Sequence, residues 1–104
     1  MTEDVEQVTV EFTPEGHLRL PADFARAHFP DDRIAALRAP TGEIVVMPVG
    51  VAASGGLMLK QRNVAGDRSV LLREALADDY PVGFVGAQWS RKRRRLTITE
   101  GGSR

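Results

Sequence analysis

One order of short elements occurs twice in this chain, and this repeat restricts the fold more than any single motif does. Residues 7–49 predict strand, strand, short helix, strand and strand, and residues 57–99 predict the same succession. Sliding the sequence on itself by about fifty positions sets Gly16 on Gly66. A shift of two more positions aligns apolar residues of the two halves: Leu20 with Leu72, Phe24 with Leu76 and Ile44 with Leu96. The halves share a pattern rather than identical residues, so the sequence predicts two related units.

In the first unit, alternating residues and a turn predict a hairpin that leads into a helix. Val8, Val10 and Phe12 alternate with polar residues, which is typical of a half-buried strand. Pro14 and Gly16 occupy the second and fourth positions of a type I turn. The unit continues with a strand, a helix opened by a proline, and two further strands, predicted at residues 17–20, 21–28, 33–37 and 43–49.

The second unit repeats this order with different residues. Strands are predicted at residues 57–62, 69–72, 82–89 and 95–99, and a helical run is predicted at residues 72–79. Leu72 and Leu76 are spaced as buried positions on one helix face, and Leu96 and Ile98 are expected to face inward on the last strand. Residues 50–56 are small and flexible in composition and are expected to link the units.

Together the units predict one domain over residues 1–104, because neither half has enough apolar sequence to build a core alone. The expected fold class is mainly β. It is a small β-barrel with two short helices, formed by two fused swapped-hairpin ββαββ units in one chain.

Composition removes several classes of protein from consideration. The absence of cysteine excludes disulfides, thiolate catalysis and a cysteine-built zinc site. No apolar run reaches the length of a membrane span, and the acidic start is unlike a secretory signal, so we expect a cytoplasmic protein. The zero net charge divides into −5 over residues 1–50 and +5 over residues 51–104. This asymmetry indicates either a polyanion-binding face or two halves that neutralise each other.

Two stretches of the first unit resemble a known family. Residues 16–21, Gly-His-Leu-Arg-Leu-Pro, followed by Phe24 and by Ile-Val-Val-Met-Pro at residues 44–48, resemble the AbrB-like (SpoVT/AbrB, MraZ) swapped-hairpin barrels. The resemblance implies a barrel made from two copies of the unit, and a DNA-binding transcription regulator or antitoxin as the function. Two chains supply the copies in most members, whereas this chain is expected to supply both.

The sequence also departs from that family. The family's arginine after the glycine is His17 here, and Ala25 stands where a second arginine is expected, with Arg26 one place later. Residues 21–25, Pro-Ala-Asp-Phe-Ala, also resemble the helix opening of plant B3-type pseudobarrels, which bind DNA. Double-psi barrels have related connectivity and include enzymes, so the resemblance implies a fold more directly than a function.

The residues predicted to contact nucleic acid are basic and lie in the second unit. Five consecutive cations at residues 91–95 repel one another unless they are solvated or face a polyanion. A strand beginning at Arg91 would place Arg91, Arg93 and Arg95 on one face, as a ladder suited to phosphates. Cations near the preceding hairpin extend this patch, so the predicted contact residues are Lys60, Arg62, Arg68, Arg91, Lys92, Arg93, Arg94 and Arg95.

Trp89 directly precedes this run and is predicted to stack on a base or to contact a protein partner. The alternative places Trp89 in the core and leaves the cations to keep a hairpin tip soluble. No pattern predicts catalysis, a cofactor or a metal. His17 and His28 are the only histidines, and eleven residues separate them without the supporting ligands that a metal site needs.

Two functions remain from different classes. The first is a transcription regulator that binds double-stranded DNA, and the basic run and the family resemblance favour it. The second is a non-enzymatic accessory protein whose barrel binds a protein partner, for example during assembly of a larger enzyme complex. Zero net charge and His17 in place of arginine favour this second function. The DNA site, the partner and the oligomeric state, including a homodimer, stay open.

Overall fold

The computed structural model describes residues 5–50, 56–64, 66–77 and 79–99. These residues form nine strands and one short α-helix. The elements are β1 (Val5–Phe12), β2 (His17–Leu20), α1 (Ala22–His28), β3 (Arg33–Arg38), β4 (Ile44–Pro48), β5 (Leu57–Met58), β6 (Lys60–Gln61), β7 (Arg68–Leu71), β8 (Gly83–Ser90) and β9 (Arg95–Ile98). The fold is therefore mainly β, as the sequence predicts.

All nine strands belong to one antiparallel sheet that curves into a nearly closed barrel. Its order is β5-β3-β4-β9-β8-β1-β2-β7-β6. The two end strands, β5 and β6, are separated in sequence by Leu59 alone, so the chain itself brings the two ends of the sheet together. Eight pairs join β1 to β8, from Val5 with Ser90 to Phe12 with Gly83, and this is the longest ladder of the barrel.

The interior of the barrel is one apolar core. Alternate residues of β1, β2 and β9 point inward, whereas β4 buries the three consecutive residues 44–46. The aligned helix positions Phe24 and Leu76 are both buried, as predicted. Leu96 and Ile98 also face inward, as predicted. No polar or charged residue among those the structure describes is buried. Burial of apolar surface, rather than a polar network, therefore stabilises the interior.

Helix α1 begins and ends where its sequence changes. Pro21 precedes it with extended backbone (φ −60°, ψ 148°), and its carbonyl accepts a hydrogen bond from Ala25 N at 2.9 Å. Pro21 supplies no side-chain cap, so the Asp67 carboxylate, from a distant turn, accepts a hydrogen bond from Ala22 N at 3.0 Å. The helix ends at His28, and Phe29, the next residue, is in the core.

The second predicted helix, residues 72–79, is wrong. The described residues of that segment make one turn, with a hydrogen bond of 3.0 Å from Leu76 N to Leu72 O. Ala77 then adopts a left-handed backbone (φ 55°), which ends the helical geometry after this single turn. One turn is enough to bury both Leu72 and Leu76, so the apolar spacing that suggested a helix is satisfied without one.

The predicted arginine ladder does not form either. Strand β8 continues to Ser90, β9 starts at Arg95, and residues 91–94 form the turn between them. Arg95 is therefore the predicted ladder member that lies on the strand. The predicted linker, residues 50–56, falls mostly outside the described residues.

Candidate nucleic-acid interface

The basic turn, defined here as Arg91, Lys92, Arg93 and Arg94, is an exposed hairpin tip with an ordered backbone. Ser90 organises it, because its hydroxyl accepts a hydrogen bond from Arg93 N at 3.1 Å and its carbonyl accepts one from Arg94 N at 2.8 Å. Arg94 takes the left-handed conformation (φ 55°) that closes the turn. Four cationic side chains are thus presented from one tight turn.

A second group of predicted cations lies around the β6–β7 hairpin. Lys60 and Arg62 are exposed, whereas Arg68 is partly buried and its Nε lies 3.1 Å from the Asp32 carboxylate. The turn of this hairpin is held by Asn63, whose side-chain oxygen accepts hydrogen bonds from Gly66 N (3.0 Å) and Asp67 N (3.1 Å). Asn63 therefore ties the described residues on the two sides of this turn together.

Helix α1 joins these two basic segments at one end of the barrel. Its first residue, Ala22, donates to Asp67 in the β6–β7 turn. Its last residue, His28, packs its ring 4.4 Å from that of Trp89, two residues before the basic turn. A helix of seven residues is about 10 Å long. The structure therefore places the two predicted basic segments on either side of α1.

Acidic residues of the first half lie beside these cations. Glu6 is 3.9 Å from the Arg91 guanidinium and 3.1 Å from His28 Nε2, and Asp32 pairs with Arg68. Asp31 lines a small cleft together with Arg94. The charge asymmetry between the halves is thus partly neutralised at their contacts. The cations of the basic turn extend beyond these contacts into solvent.

The prediction that Trp89 stacks on a base or contacts a partner is wrong for this conformation. Its side chain is 2% exposed and lies in the core. Its ring packs edge-on against Phe24 and Phe29, at centroid distances of 5.8 and 5.5 Å, and against His28. Trp89 instead anchors the end of β8 to α1, and so positions the strand from which the basic turn emerges.

Arg95 lies at the base of the turn and is only partly exposed. Its Nε is buried and has no hydrogen-bond partner among the described residues. Arg95 therefore differs from its four neighbours, since its charge is held against the barrel wall.

The surroundings of Asp67 lower the pKa of its carboxyl. A hydrogen bond from the Asn63 side chain, assisted by the one from Ala22 N, holds the pKa of the Asp67 carboxyl below its usual range. Nearby Arg19 and Arg62 act in the same direction. The charged form of Asp67 is therefore the one that holds α1 to the β6–β7 turn.

Sequence reasoning missed several apolar side chains on the outside of the barrel. Phe84 is 76% exposed, Met58 52% and Leu71 48%. The alternation in residues 82–89 left open which set faces inward, and burial of Trp89 puts Phe84 on the opposite face. Val85, Ala87 and Trp89 are alternate residues and therefore lie on one face of the strand. This face has more apolar residues than the other, and that difference in the sequence could have identified it as the inward face.

Met58 and Leu71 border a groove of about 430 Å³ at the seam between β5 and β7. Leu57 and Ala75 contribute further apolar surface, and His17 lies at its edge. Lys60, Ser69 and Glu74 also line the groove. Its surface therefore suits a partner side chain that is apolar and flanked by polar or charged groups.

Within the described ranges, no group of three or more His, Cys, Asp or Glu side chains converges as a metal site would require. The same ranges hold no helix that is long and apolar enough to span a bilayer. Comparison of the chain with family models, with curated proteins and with solved structures finds no match.

Proposed function

We propose that this protein is a cytoplasmic, DNA-binding transcription regulator that contacts duplex phosphates through the basic end of its barrel. The basic turn carries the proposal, because four adjacent exposed cations on an ordered hairpin tip match the charge of a phosphate backbone. Arg62 and Lys60 lie across α1 and extend the same surface. Backbone contacts of this kind orient a protein on DNA and carry little sequence information by themselves.

The proposed architecture is a barrel of two fused swapped-hairpin ββαββ units, and the strand pairing supports it. Hairpin β1–β2 corresponds to β6–β7, hairpin β3–β4 corresponds to β8–β9, and the β1–β8 pair corresponds to β5–β3. The first hairpin turn of each unit contains a glycine with positive φ, Gly16 at 96° in one unit and Gly66 at 98° in the other. Each of these strand pairs thus has a counterpart that the repeat relates to it.

The two remaining pairs join the units to each other. Leu18 pairs with Val70, and Val45 pairs with Thr97, and the same 52 positions separate the partners in both pairs. If the two units are exchanged, Leu18 takes the place of Val70 and Val70 that of Leu18, and Val45 and Thr97 exchange in the same way. A pseudo-twofold axis through β2–β7 and β4–β9 requires this behaviour. One chain would then supply both copies that the AbrB-like family resemblance implies.

Removal of charge from the basic turn tests the proposed function. The variant Lys92→Ser, Arg93→Ser, Arg94→Asn uses asparagine at the third position because asparagine tolerates the left-handed conformation. We expect weaker binding to every duplex sequence tested. The slope of log affinity against log salt should flatten by up to about 3, at about 0.9 per phosphate contact. Fluorescence anisotropy with a labelled duplex over a salt series measures both quantities.

A matched control removes exposed cations that lie across α1 from the basic turn, with Lys60→Ser and Arg62→Ser. This variant should lose less affinity and flatten the slope by up to about 2. Thermal unfolding of both variants should stay close to that of the parent, since exposed charges contribute little to stability. If the basic-turn variant binds duplex DNA as the parent does, the basic turn is not the contact surface.

The accessory-protein function is the second candidate, and the groove at the β5–β7 seam favours it. Leu71 lies 52 positions after Arg19, whose guanidinium pairs with Glu11 at 3.0 Å on the wall of the first unit. The second unit has an apolar residue at this position, and Met58 and Leu71 are both exposed at the groove. Exposed apolar surface in a groove is characteristic of a protein-binding site.

Replacement of the groove residues tests this second function. Met58→Glu with Leu71→Arg places charge at both exposed apolar positions of the groove and should abolish capture of a partner protein by the immobilised chain. Leu37→Arg, another exposed apolar residue of the barrel wall, is the matched control and should leave capture unchanged. The captured protein is then purified and rebound. Equal binding to parent and groove variant would exclude the groove as its site.

A further inference from the structure

Phe84 is the most exposed aromatic ring of the described chain, and it stands on a regular strand rather than in a loop. It is 76% exposed and pairs with Glu11 across the β1–β8 ladder. Two residues further along the same face is Gly86, where an added Cβ would meet no atom within 4 Å. One side of the ring is thus bordered by open space above a flat stretch of sheet, which leaves room for a planar group to lie against it.

The outward face that leads from Phe84 toward the basic turn is polar, and a cleft beside the ring is lined by the charged side chains of Glu11, Arg19 and Asp67. Gln88 pairs with Gln7, and Gly86 pairs with Thr9, along the β1–β8 ladder. Thr97 continues the face onto β9, where it pairs with Gln88. Amide and hydroxyl groups both donate and accept hydrogen bonds, which suits the edges of nucleobases. The one acidic side chain of this face in the ladder, Glu11, forms an ion pair with Arg19.

This face runs directly into the basic turn. Strand β8 leads from Phe84 through Gln88 to Ser90, and Arg91 follows. At about 3.3 Å per residue, Phe84 and Arg91 are about 23 Å apart along the strand. About seven stacked nucleotides, at about 3.4 Å each, span this length. An aromatic ring, a polar track and a cluster of cations therefore follow one another in the order that a single strand requires.

The chemistry of this face selects a single strand over other occupants. Bases in a duplex are stacked on both faces, so an aromatic ring on a sheet cannot reach them. A protein partner would be expected to meet a larger apolar surface than Phe84 and Val82 among glutamine and threonine side chains. The positive charge at one end of this face favours a polyanion. A single strand can place its bases against the aromatic ring, whatever their sequence, and its phosphates against the cations.

We propose that the outer face of β9, β8 and β1 binds single-stranded nucleic acid, with a base stacked on Phe84 and phosphates held by the basic turn. This rests on the proposed function in one respect, since both assign phosphate contacts to the basic turn. It adds a second ligand form, an unpaired strand, that uses a face which duplex binding does not need.

The test measures binding of the full chain to a labelled oligo(dT) and to a labelled duplex of the same length. Phe84→Ser should weaken oligo(dT) binding by about 5- to 150-fold, the range that loss of one base stack produces, and should leave duplex binding unchanged. Val82→Ser removes another exposed apolar side chain, 60% exposed and two residues away, and is the matched control. It should leave both affinities unchanged.

A second variant, which keeps an aromatic ring at position 84, tests the proposal even if the Phe84→Ser protein does not fold. Phe84→Trp should retain oligo(dT) binding and acquire an exposed indole whose fluorescence is quenched on binding. Trp89, the only tryptophan of the parent, is buried and should report no such quenching. Unaltered oligo(dT) affinity in a folded Phe84→Ser, or no quenching in Phe84→Trp, overturns the stacking platform.

The outcomes separate this proposal from the proposed function. Loss of duplex binding in the basic-turn variant, with oligo(dT) affinity insensitive to Phe84, overturns the platform and leaves the regulator in place. Oligo(dT) binding that depends on Phe84, in a parent without duplex affinity, supports the platform and overturns the regulator. A parent that binds neither oligonucleotide at low salt overturns both.

Discussion

At the scale of single residues, Asp67 links two parts of the molecule that are distant in sequence. Its carboxylate accepts hydrogen bonds from Ala22 N, at the start of α1, and from the Asn63 side chain in its own turn. Because Pro21 provides no side-chain cap, α1 depends on this residue for the first of its exposed N–H groups. Sequence patterns cannot identify such a cap, since the donor and acceptor are 45 residues apart.

The lowered pKa of Asp67 predicts a pH dependence of folding. A carboxyl whose pKa is lower in the folded state contributes stability above its unfolded pKa, and this contribution is lost as pH falls through the folded pKa. Asp67→Asn keeps the side-chain oxygen but loses the charge. Its free energy of unfolding should therefore decline less than that of the parent as the pH falls below 3.8, the ordinary pKa of an aspartate. Urea unfolding at a series of pH values measures this difference.

Asp23→Asn, which removes a carboxylate from the first turn of α1 without touching the Asp67 contacts, is the control for charge alone. A decline with falling pH that is identical in parent and Asp67→Asn would show that the carboxylate contributes nothing to folding.

Phe24 and Leu76, the aligned helix positions, should be equally important to the core. Each is buried, and Phe24 contacts both Phe29 and Trp89. Phe24→Ala and Leu76→Ala should each lower the free energy of unfolding by about 2–5 kcal/mol. Leu37→Ala, on the outside of the barrel, should cost less than about 1 kcal/mol. Chemical denaturation distinguishes these values, and a small effect at either buried position would refute its place in the core.

At the scale of elements, strands were easier to predict than turns. The inward sets of β1 and β9 follow from alternation, because a strand with one buried face must alternate. The helix at residues 72–79 was wrong since Leu72 and Leu76, four apart, fit either a helix or a single turn. The ladder at residues 91–95 was wrong because no glycine or asparagine marks the turn, and Arg94 itself adopts positive φ.

Two alanines, Ala75 and Ala77, test whether the segment predicted as a second helix forms only a single turn. Ala77 has φ 55°, a conformation that glycine adopts without the side-chain penalty. Ala77→Gly should therefore raise the free energy of unfolding by up to about 1 kcal/mol. Ala75, in the same turn, is not among the residues with positive φ, and Ala75→Gly should lower it by about 0.5–1 kcal/mol. The same sign for both substitutions would contradict a left-handed Ala77.

At the scale of the whole molecule, the barrel explains why charge that is remote in sequence acts at one site. Helix α1 holds the β6–β7 hairpin at its start and the β8–β9 hairpin at its end. The sequence indicates the members of this basic surface by their charge alone. It indicates neither the acidic residues beside them, Glu6 and Asp32, nor the burial of Trp89. Those depend on contacts between the halves, which neither half encodes alone.

The most direct test of DNA binding through the basic turn identifies, residue by residue, which part of the chain contacts DNA. Backbone amide shifts of the isotope-labelled chain are recorded by NMR while a short DNA duplex is added at low salt. We expect the largest changes at residues 91–95, with smaller ones at Lys60, Arg62 and α1, and little change at the opposite hairpin, residues 39–43. Shifts confined to the Met58–Leu71 groove, or no shifts at any DNA concentration, would contradict the proposed DNA-binding function.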